Sequence, residues 1–272
     1  MKVGYTEFSF DYAFTENLIR SAPSAPVGAP VFPNLIHEAR AGFDIRINFP
    51  GVPLFFQFKL PELMRRGTAF EIAGGNCPGL NVPFYRIALM RSDISRQHAL
   101  LIRLERRYPG CVFYAAPALQ SVGHFDTAYN AAEVARRSVF FSPRDIGPLP
   151  DSKPHSIAYR HDLNVGYFCS NPRSVKAMTY DGLAEAARSR FDEDRFRRLA
   201  SSARELREAV VEMASPQIRE AEGAIVERVS ARRARAALQP STRERATIDL
   251  LVAREIARID FGVDLLVAQP GR

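Results

Sequence analysis

The chain is poor in cysteine, poor in lysine and free of long apolar runs, and each shortage removes a class of protein. Its three cysteines, Cys77, Cys111 and Cys169, are an odd number with no CxxC spacing. Neither a disulfide framework nor a zinc ribbon is expected from them, and they read as small buried residues. No stretch approaches the roughly 20 apolar residues of a membrane span. The N-terminal MKVGYTEFSFDYAF alternates and has no charged segment leading into an apolar core, so no secretory leader is expected and the protein is placed in the cytoplasm. HExxH, GxSxG and Cys/His arrangements are missing, which argues against zincin and covalent hydrolase chemistry. His37, His124, His155 and His161 stand at no metal-ligand spacing, and Gly74-Gly75-Asn76-Cys77-Pro78-Gly79 lacks the GK(S/T) of a phosphate loop, reading as a tight turn.

What is present is arginine. Of 37 basic residues only Lys2, Lys59, Lys153 and Lys176 are lysine. A sequence that writes arginine almost everywhere but keeps lysine at one position draws attention to that position, because the two groups are not interchangeable. The basic excess also has an address. Residues 1–180 hold 20 basic against 14 acidic residues, whereas Asp181 to Asp260 hold 16 against 15, so a polyanionic ligand would belong to the N-terminal part.

Residues 1–180 mix short apolar runs of strand character (FDIRINF, LFFQFKL, CVFYAA, SVFF, HSIAYR) with helical candidates at about 11–21, 95–107 and 126–137. That mixture predicts an α/β domain over 1–175. The Pro/Ser-rich piece from Ser21 to Pro33 reads as a loop. From 179 to 272 the texture is Ala, Arg, Glu and Leu, predicting helices near 179–214, 216–237 and 242–260. Phe196, Leu199, Ala203, Leu206, Val210 and Met213 form a seam at helical spacing. The later stripes, through Ile218, Ile225 and Val229 and through Ile248, Val252, Ile256 and Ile259, are shorter, so part of the seam is expected to remain for self-association or a partner protein.

The chemistry-bearing stretch is Gly42 to Leu60, GFDIRINFPGVPLFFQFKL, two alternating strands around Pro50-Gly51-Val52-Pro53. It predicts a β-hairpin. Pairing Phe49 with Leu54 gathers Ile45, Ile47, Phe49, Leu54, Phe56 and Phe58 on one apolar face. Asp44, Arg46, Asn48, Gln57 and Lys59 then share the other, with Asp44 opposite Lys59.

An acid on one strand followed across a hairpin by (D/E/Q)-x-K resembles the PD-(D/E)xK phosphodiesterase superfamily, which has the restriction-endonuclease-like fold. The resemblance covers about residues 8–120. Asp44 matches the metal-binding aspartate and Gln57-Phe58-Lys59 the Q-x-K variant of some defence and restriction branches. Phe43 stands where the motif has proline, and Gln57 replaces the usual acid. The resemblance implies a mixed sheet flanked by helices, a Mg²⁺ (or Mn²⁺) cofactor, and hydrolysis of DNA, with RNA also open, in defence against foreign DNA. It also implies a helix-borne acid, for which Glu16 is the first candidate and Glu38 the second. Hydrolysing a phosphodiester requires stabilising charge on phosphate and supplying a deprotonated water. A hard cation on a few oxygens with a lysine beside it meets that need.

Nucleic-acid contacts are expected from Arg46, and from Arg91, Arg96 and His98 within the basic stretch 86–107. Three competing readings stand beside this one. Asp44 and Lys59 could be a cross-strand ion pair on a solvated face. The chain could be a catalytically inactive nuclease-fold protein that binds nucleic acid or assembles with others. The helical region could recruit a working subunit.

Overall fold

The computed structural model describes residues 2–20, 50–75, 77–231 and 241–269. It is an α/β fold with a mixed sheet flanked by helices. Two compact units divide the chain, Met1–Ser21 with Phe56–Ala186, and Ala22–Phe55 with Ala187–Arg272.

The first unit opens with α1 (Glu7–Arg20). Its start is set by Thr6, whose Oγ1 accepts from the Ser9 N–H at 3.0 Å and whose carbonyl takes the first helical bond from Phe10 at 3.0 Å. The helix therefore begins ahead of the expected residue 11 and includes Glu7. β1 (Val52–Phe58) follows and is buried at every position. Val52 and Pro53, expected in the turn, belong to this strand. The predicted first hairpin strand, with Asp44 and Arg46, lies outside the described residues, and so does the register proposed for it. Phe10 and Phe14 of α1 bury their rings against β1, with Phe10 5.4 Å from Phe58 and Phe14 5.4 Å from Phe56. Each such aromatic pair adds about 0.5–1.5 kcal/mol beyond area burial.

The chain continues through β2 (Glu62–Met64), α2 (Phe70–Ala73), β3 (Phe84–Leu89), α3 (Gln97–Arg107), β4 (Val112–Pro117), α4 (Val122–Asn130), β5 (Ser138–Phe141), α5 (Pro143–Ile146), β6 (His155–Tyr159), β7 (Val165–Phe168), β8 (Arg173–Lys176) and α6 (Tyr180–Arg188). Within this unit β5, β4 and β1 stand in that order, and β2-β3-β6-β7-β8 form a second, antiparallel sheet. The two sheets touch where the Tyr159 hydroxyl donates to the Pro117 carbonyl at 2.7 Å and the Phe141 ring meets Tyr159 edge-on at 5.5 Å. Gly166 is required there, since a Cβ would fall 2.6 Å from the Phe141 ring. The helix expected at 126–137 is instead α4. Ser121 caps its start by accepting from the His124 N–H, and Ala132, at φ 56°, lies beyond its end in a conformation that cannot continue it.

In the second unit, the opening residues of β1 neighbour β9 (Asp264–Ala268), and the helices are α7 (Leu199–Met213), α8 (Pro216–Glu220), α9 (Glu222–Ala231) and α10 (Thr242–Ile256), with a π-helical turn at Ala257–Phe261. The single helix expected over 179–214 is broken. α6 stops at Arg188, a 3-10 turn occupies Asp194–Phe196, and Glu193 bridges the gap by pairing with Arg190 and Arg195, each at 3.0 Å.

The apolar seam also differs from expectation. Phe196, Leu199, Ala203, Leu206 and Val210 are all buried, and α7 packs along α10, whose Leu250, Ala253 and Ile256 are buried in turn. Arg207 ties the bundle together, donating to Glu222 at 2.6 Å and to Asp249 at 2.9 Å. Because α10 faces α7, the seam among the described residues is buried from Phe196 to Val210 and half-buried at Met213, closed largely within the unit.

Candidate functional site around Gln57 and Lys59

β1 places Gln57 two residues before Lys59, and strand alternation puts both on the side opposite Phe56 and Phe58. Gln57 is 6% exposed. Its Nε2 donates to the Phe58 carbonyl at 3.1 Å, while its Oε1 accepts no hydrogen bond among the described residues. A buried acceptor without a donor is unfavourable by about 1–3 kcal/mol, which makes this oxygen an unusual thing to keep on a strand buried at every position.

Lys59 follows the last residue of β1, and its N–H bonds the Ala115 carbonyl of β4 at 2.9 Å. The backbone is thereby fixed where the side chain leaves the sheet. Burial holds the Lys59 ammonium below the usual lysine range, and the Glu7 carboxylate partly restores it. Among the described residues no carboxylate forms an ion pair with this amine. It is half-buried, and the cross-strand pair with Asp44 lies outside the described residues.

The acids on α1 are distributed differently from the expectation. Glu16 sits near the C-terminal end of the helix, where its carboxylate pairs with Arg20 at 2.7 Å and accepts from Asn17 Nδ2 at 3.0 Å. Arg20 in turn donates to the Tyr129 carbonyl at 2.6 Å and lies 4.7 Å over the Tyr129 ring. The carboxylate whose field reaches Lys59 is Glu7, at the opposite end, and Asp11, one helical turn after Glu7, is 7% exposed. Sequence reasoning singled out neither. The T-x-x-S cap at Thr6, which brings Glu7 into the helix, was the signal that could have found them. Glu38 and Asp44 lie outside the described residues, as does any distance from Glu16 to Asp44.

The expected nucleic-acid contacts separate into distinct environments. His98, on α3, is 4% exposed and uses both ring nitrogens. Nε2 meets the Gly147 carbonyl at 2.8 Å and Nδ1 the Tyr114 hydroxyl at 2.8 Å. Since a carbonyl can only accept, Nε2 carries the proton and Nδ1 accepts from Tyr114. Burial pushes the imidazole pKa down, the Gly147 bond opposes that, and no nitrogen is left for a phosphate. Arg91 is held by Asp93 at 2.6 Å and 3.0 Å and by the Ser152 carbonyl at 2.9 Å. Arg96, at the N-cap of α3, is exposed. Arg46 is outside the described residues.

No group of three His, Cys, Asp or Glu side chains able to hold a metal ion occurs among the described residues. The feature that fits a hard cation is Gln57 Oε1, which has no partner among the described residues and is a neutral oxygen donor that would need carboxylates to complete the charge. In comparisons of the chain, no family model matches, and no curated protein and no solved structure matches. No helix among the described residues is long and apolar enough to cross a membrane.

Proposed function

We propose that the chain is a phosphodiesterase of the PD-(D/E)xK kind, with the restriction-endonuclease-like fold, that hydrolyses DNA in defence against foreign nucleic acid. The observation that carries this reading is a buried amide oxygen at Gln57 with no partner among the described residues, two residues before a half-buried amine at Lys59. A structural strand would replace Gln57 by an apolar residue and gain stability. Retaining the oxygen makes sense if it serves a ligand.

Gln57 Oε1, with Asp44 on the strength of the sequence motif, would hold Mg²⁺ or Mn²⁺. When bound, the ion supplies a Lewis acid and a lowered water pKa. The chain's own contribution is Lys59. As an ammonium it donates hydrogen bonds to a phosphate oxygen and stabilises the charge that develops there. With its pKa held down by burial, it also lies closer to the range in which an amine exchanges a proton with water. A compact ammonium can do both, whereas a guanidinium of pKa above 12 cannot give up its proton.

The test is cleavage of plasmid DNA, with single-stranded RNA as a parallel substrate, in Mg²⁺ and in EDTA. Cleavage is expected only with the metal. Asp44→Ala and Lys59→Arg should each abolish it while leaving the circular dichroism spectrum unchanged, and full cleavage by Lys59→Arg removes the lysine from the chemistry.

A second reading is favoured by the absence of a three-acid group among the described residues together with glutamine at 57. It is a nuclease-fold protein that binds nucleic acid without cutting it. The same assay separates the two, since that protein would leave plasmid intact under every condition.

A further inference from the structure

Five of the six arginines of the basic stretch 86–107 divide into two groups once the fold is known. Arg86 lies across β3 and pairs with Glu62 at 2.7 Å and Glu71 at 3.0 Å, and Arg91 is held by Asp93. Their charge is spent within the molecule. Arg96, Arg103 and Arg106 are exposed, and none of them pairs with a carboxylate among the described residues.

These three belong to α3, at its N-cap, in its middle and in its last turn. Arg96 and Arg103 are seven residues apart and fall on one line of the helix, with Arg106 three residues further on. From end to end the stripe spans about 15 Å at 1.5 Å per residue. The acid of α3, Glu105, is turned inward, where it accepts from Ser142 Oγ at 2.6 Å and from the Arg144 N–H at 2.8 Å. It therefore offsets none of the outer charge.

The helix alone gives no reason for this arrangement. Like charges three or four residues apart destabilise a helix by a few tenths of a kcal/mol. The dipole favours Arg106 near the C-terminus but opposes Arg96 at the N-terminus. An anion at the start of α3 would reverse that penalty, since the helix end and Arg96 would then attract the same group.

We infer that the outer face of α3, through Arg96, Arg103 and Arg106, binds the phosphate backbone of duplex nucleic acid. The occupant is chosen by charge complementarity. A row of guanidiniums about 15 Å long, unpaired among the described residues, matches a ladder carrying one charge per roughly 1.7 Å of duplex axis, and guanidinium is the side chain best shaped for phosphate oxygens. The choice of nucleic acid over another polyanion rests on the phosphodiesterase reading above. The stripe also replaces the expected contacts of Arg91 and His98, whose hydrogen-bonding groups are already engaged.

The experiment is a fluorescence-anisotropy titration of labelled duplex DNA in EDTA, so that binding is read without cleavage, repeated from about 50 to 200 mM salt. The full chain is compared with Arg96→Gln/Arg103→Gln/Arg106→Gln and with Arg91→Gln as control. Each lost phosphate contact flattens the slope of log K against log[salt] by about 0.9, so the triple variant should lose about 2 to 3 in slope and the control close to none. The residues are exposed, and an unchanged circular dichroism spectrum confirms that α3 persists.

An unchanged slope in the triple variant, or an equal loss in the control, overturns the inference. So does a loss seen with phosphatidylserine vesicles or polyglutamate but not with DNA, which would assign the stripe to a membrane or an acidic protein. The cleavage reading fails separately. Plasmid that stays intact while the slope still depends on the stripe removes the nuclease and keeps the binding surface.

Discussion

Replacing Gln57 by methionine tests whether the buried amide oxygen is kept for a ligand. The two side chains are both unbranched and similar in length, so the change creates no cavity of note. It removes an acceptor that is 6% exposed and receives no hydrogen bond among the described residues. Relief of that acceptor stabilises the fold by about 1–3 kcal/mol. Against this stands loss of the Nε2 bond to the Phe58 carbonyl at 3.1 Å, which contributes about 0.5–1.5 kcal/mol. The midpoints of these ranges leave a net gain in EDTA of about 1 kcal/mol. For a chain of this size each kcal/mol moves Tm by about 2–4 °C, so Gln57→Met should melt about 2–4 °C above the natural protein.

Adding Mg²⁺ should reverse the order. A cation that binds only the folded chain stabilises it by RT ln(1 + [L]/Kd), about 2.7 kcal/mol at a hundredfold excess over Kd. The natural protein should gain that increment and the variant should lose most of it, along with cleavage. Differential scanning calorimetry with and without Mg²⁺ reads both effects. Two results refute the reasoning. A variant less stable in EDTA by more than 1 kcal/mol would mean that the Gln57 oxygen is satisfied in the folded protein. An identical Mg²⁺ shift in both proteins would detach Gln57 from the ion. Stability gained where activity is lost is the pattern expected of a group retained for function.

Two further predictions concern the frame around the site. Gly166→Ala should destabilise by about 1–3 kcal/mol, because its Cβ would sit 2.6 Å from the Phe141 ring and 3.2 Å from Ile157 between the two sheets of the first unit; urea unfolding decides it, and a loss below 0.5 kcal/mol would mean that Phe141 moves freely. His98 has its pKa pushed below the usual 6.5, mainly by burial, so the unfolded chain binds the extra proton first, and the stability this group contributes is complete above about pH 6.5 and falls as pH drops from there toward the folded pKa. His98→Leu should cost about 2–4 kcal/mol at pH 8 by leaving the Tyr114 hydroxyl and Gly147 carbonyl without partners, and should remove this acid component. If Tm of His98→Leu declines between pH 7 and pH 5 as steeply as that of the natural protein, another group is responsible.

The parts of the fold that could be read from sequence are those whose signal is local. β1, β4, β5 and β6 lie in the short runs of strand character and were expected close to where they stand. β2 has three residues, β3 carries an arginine in its middle, and β7 contains Gly166, so none has enough alternation to stand out, although each is fixed by the neighbour it pairs with. The break between α6 and α7 was illegible for a related reason. Residues 189–198 hold no glycine or proline to announce a stop, and in the structure Glu193 pairs there with Arg190 and Arg195.

The candidate site repeats that division. Gln57 and Lys59 were legible because two residues on one strand share a face whatever surrounds them. Whether an acid stands near them depends on where a separate helix begins and how it is rotated, and two α1 phenylalanines decide that. Phe10 and Phe14 must face Phe56 and Phe58. With those positions fixed, Glu16, two residues past Phe14, is carried about 200° around the helix, to the end where Arg20 takes it up. Glu7, in the first turn, is the acid whose field acts on Lys59. An assignment of the helix-borne acid by motif order alone selects Glu16. The start of α1 at Thr6 instead makes Glu7 the helix-borne acid whose field acts on Lys59.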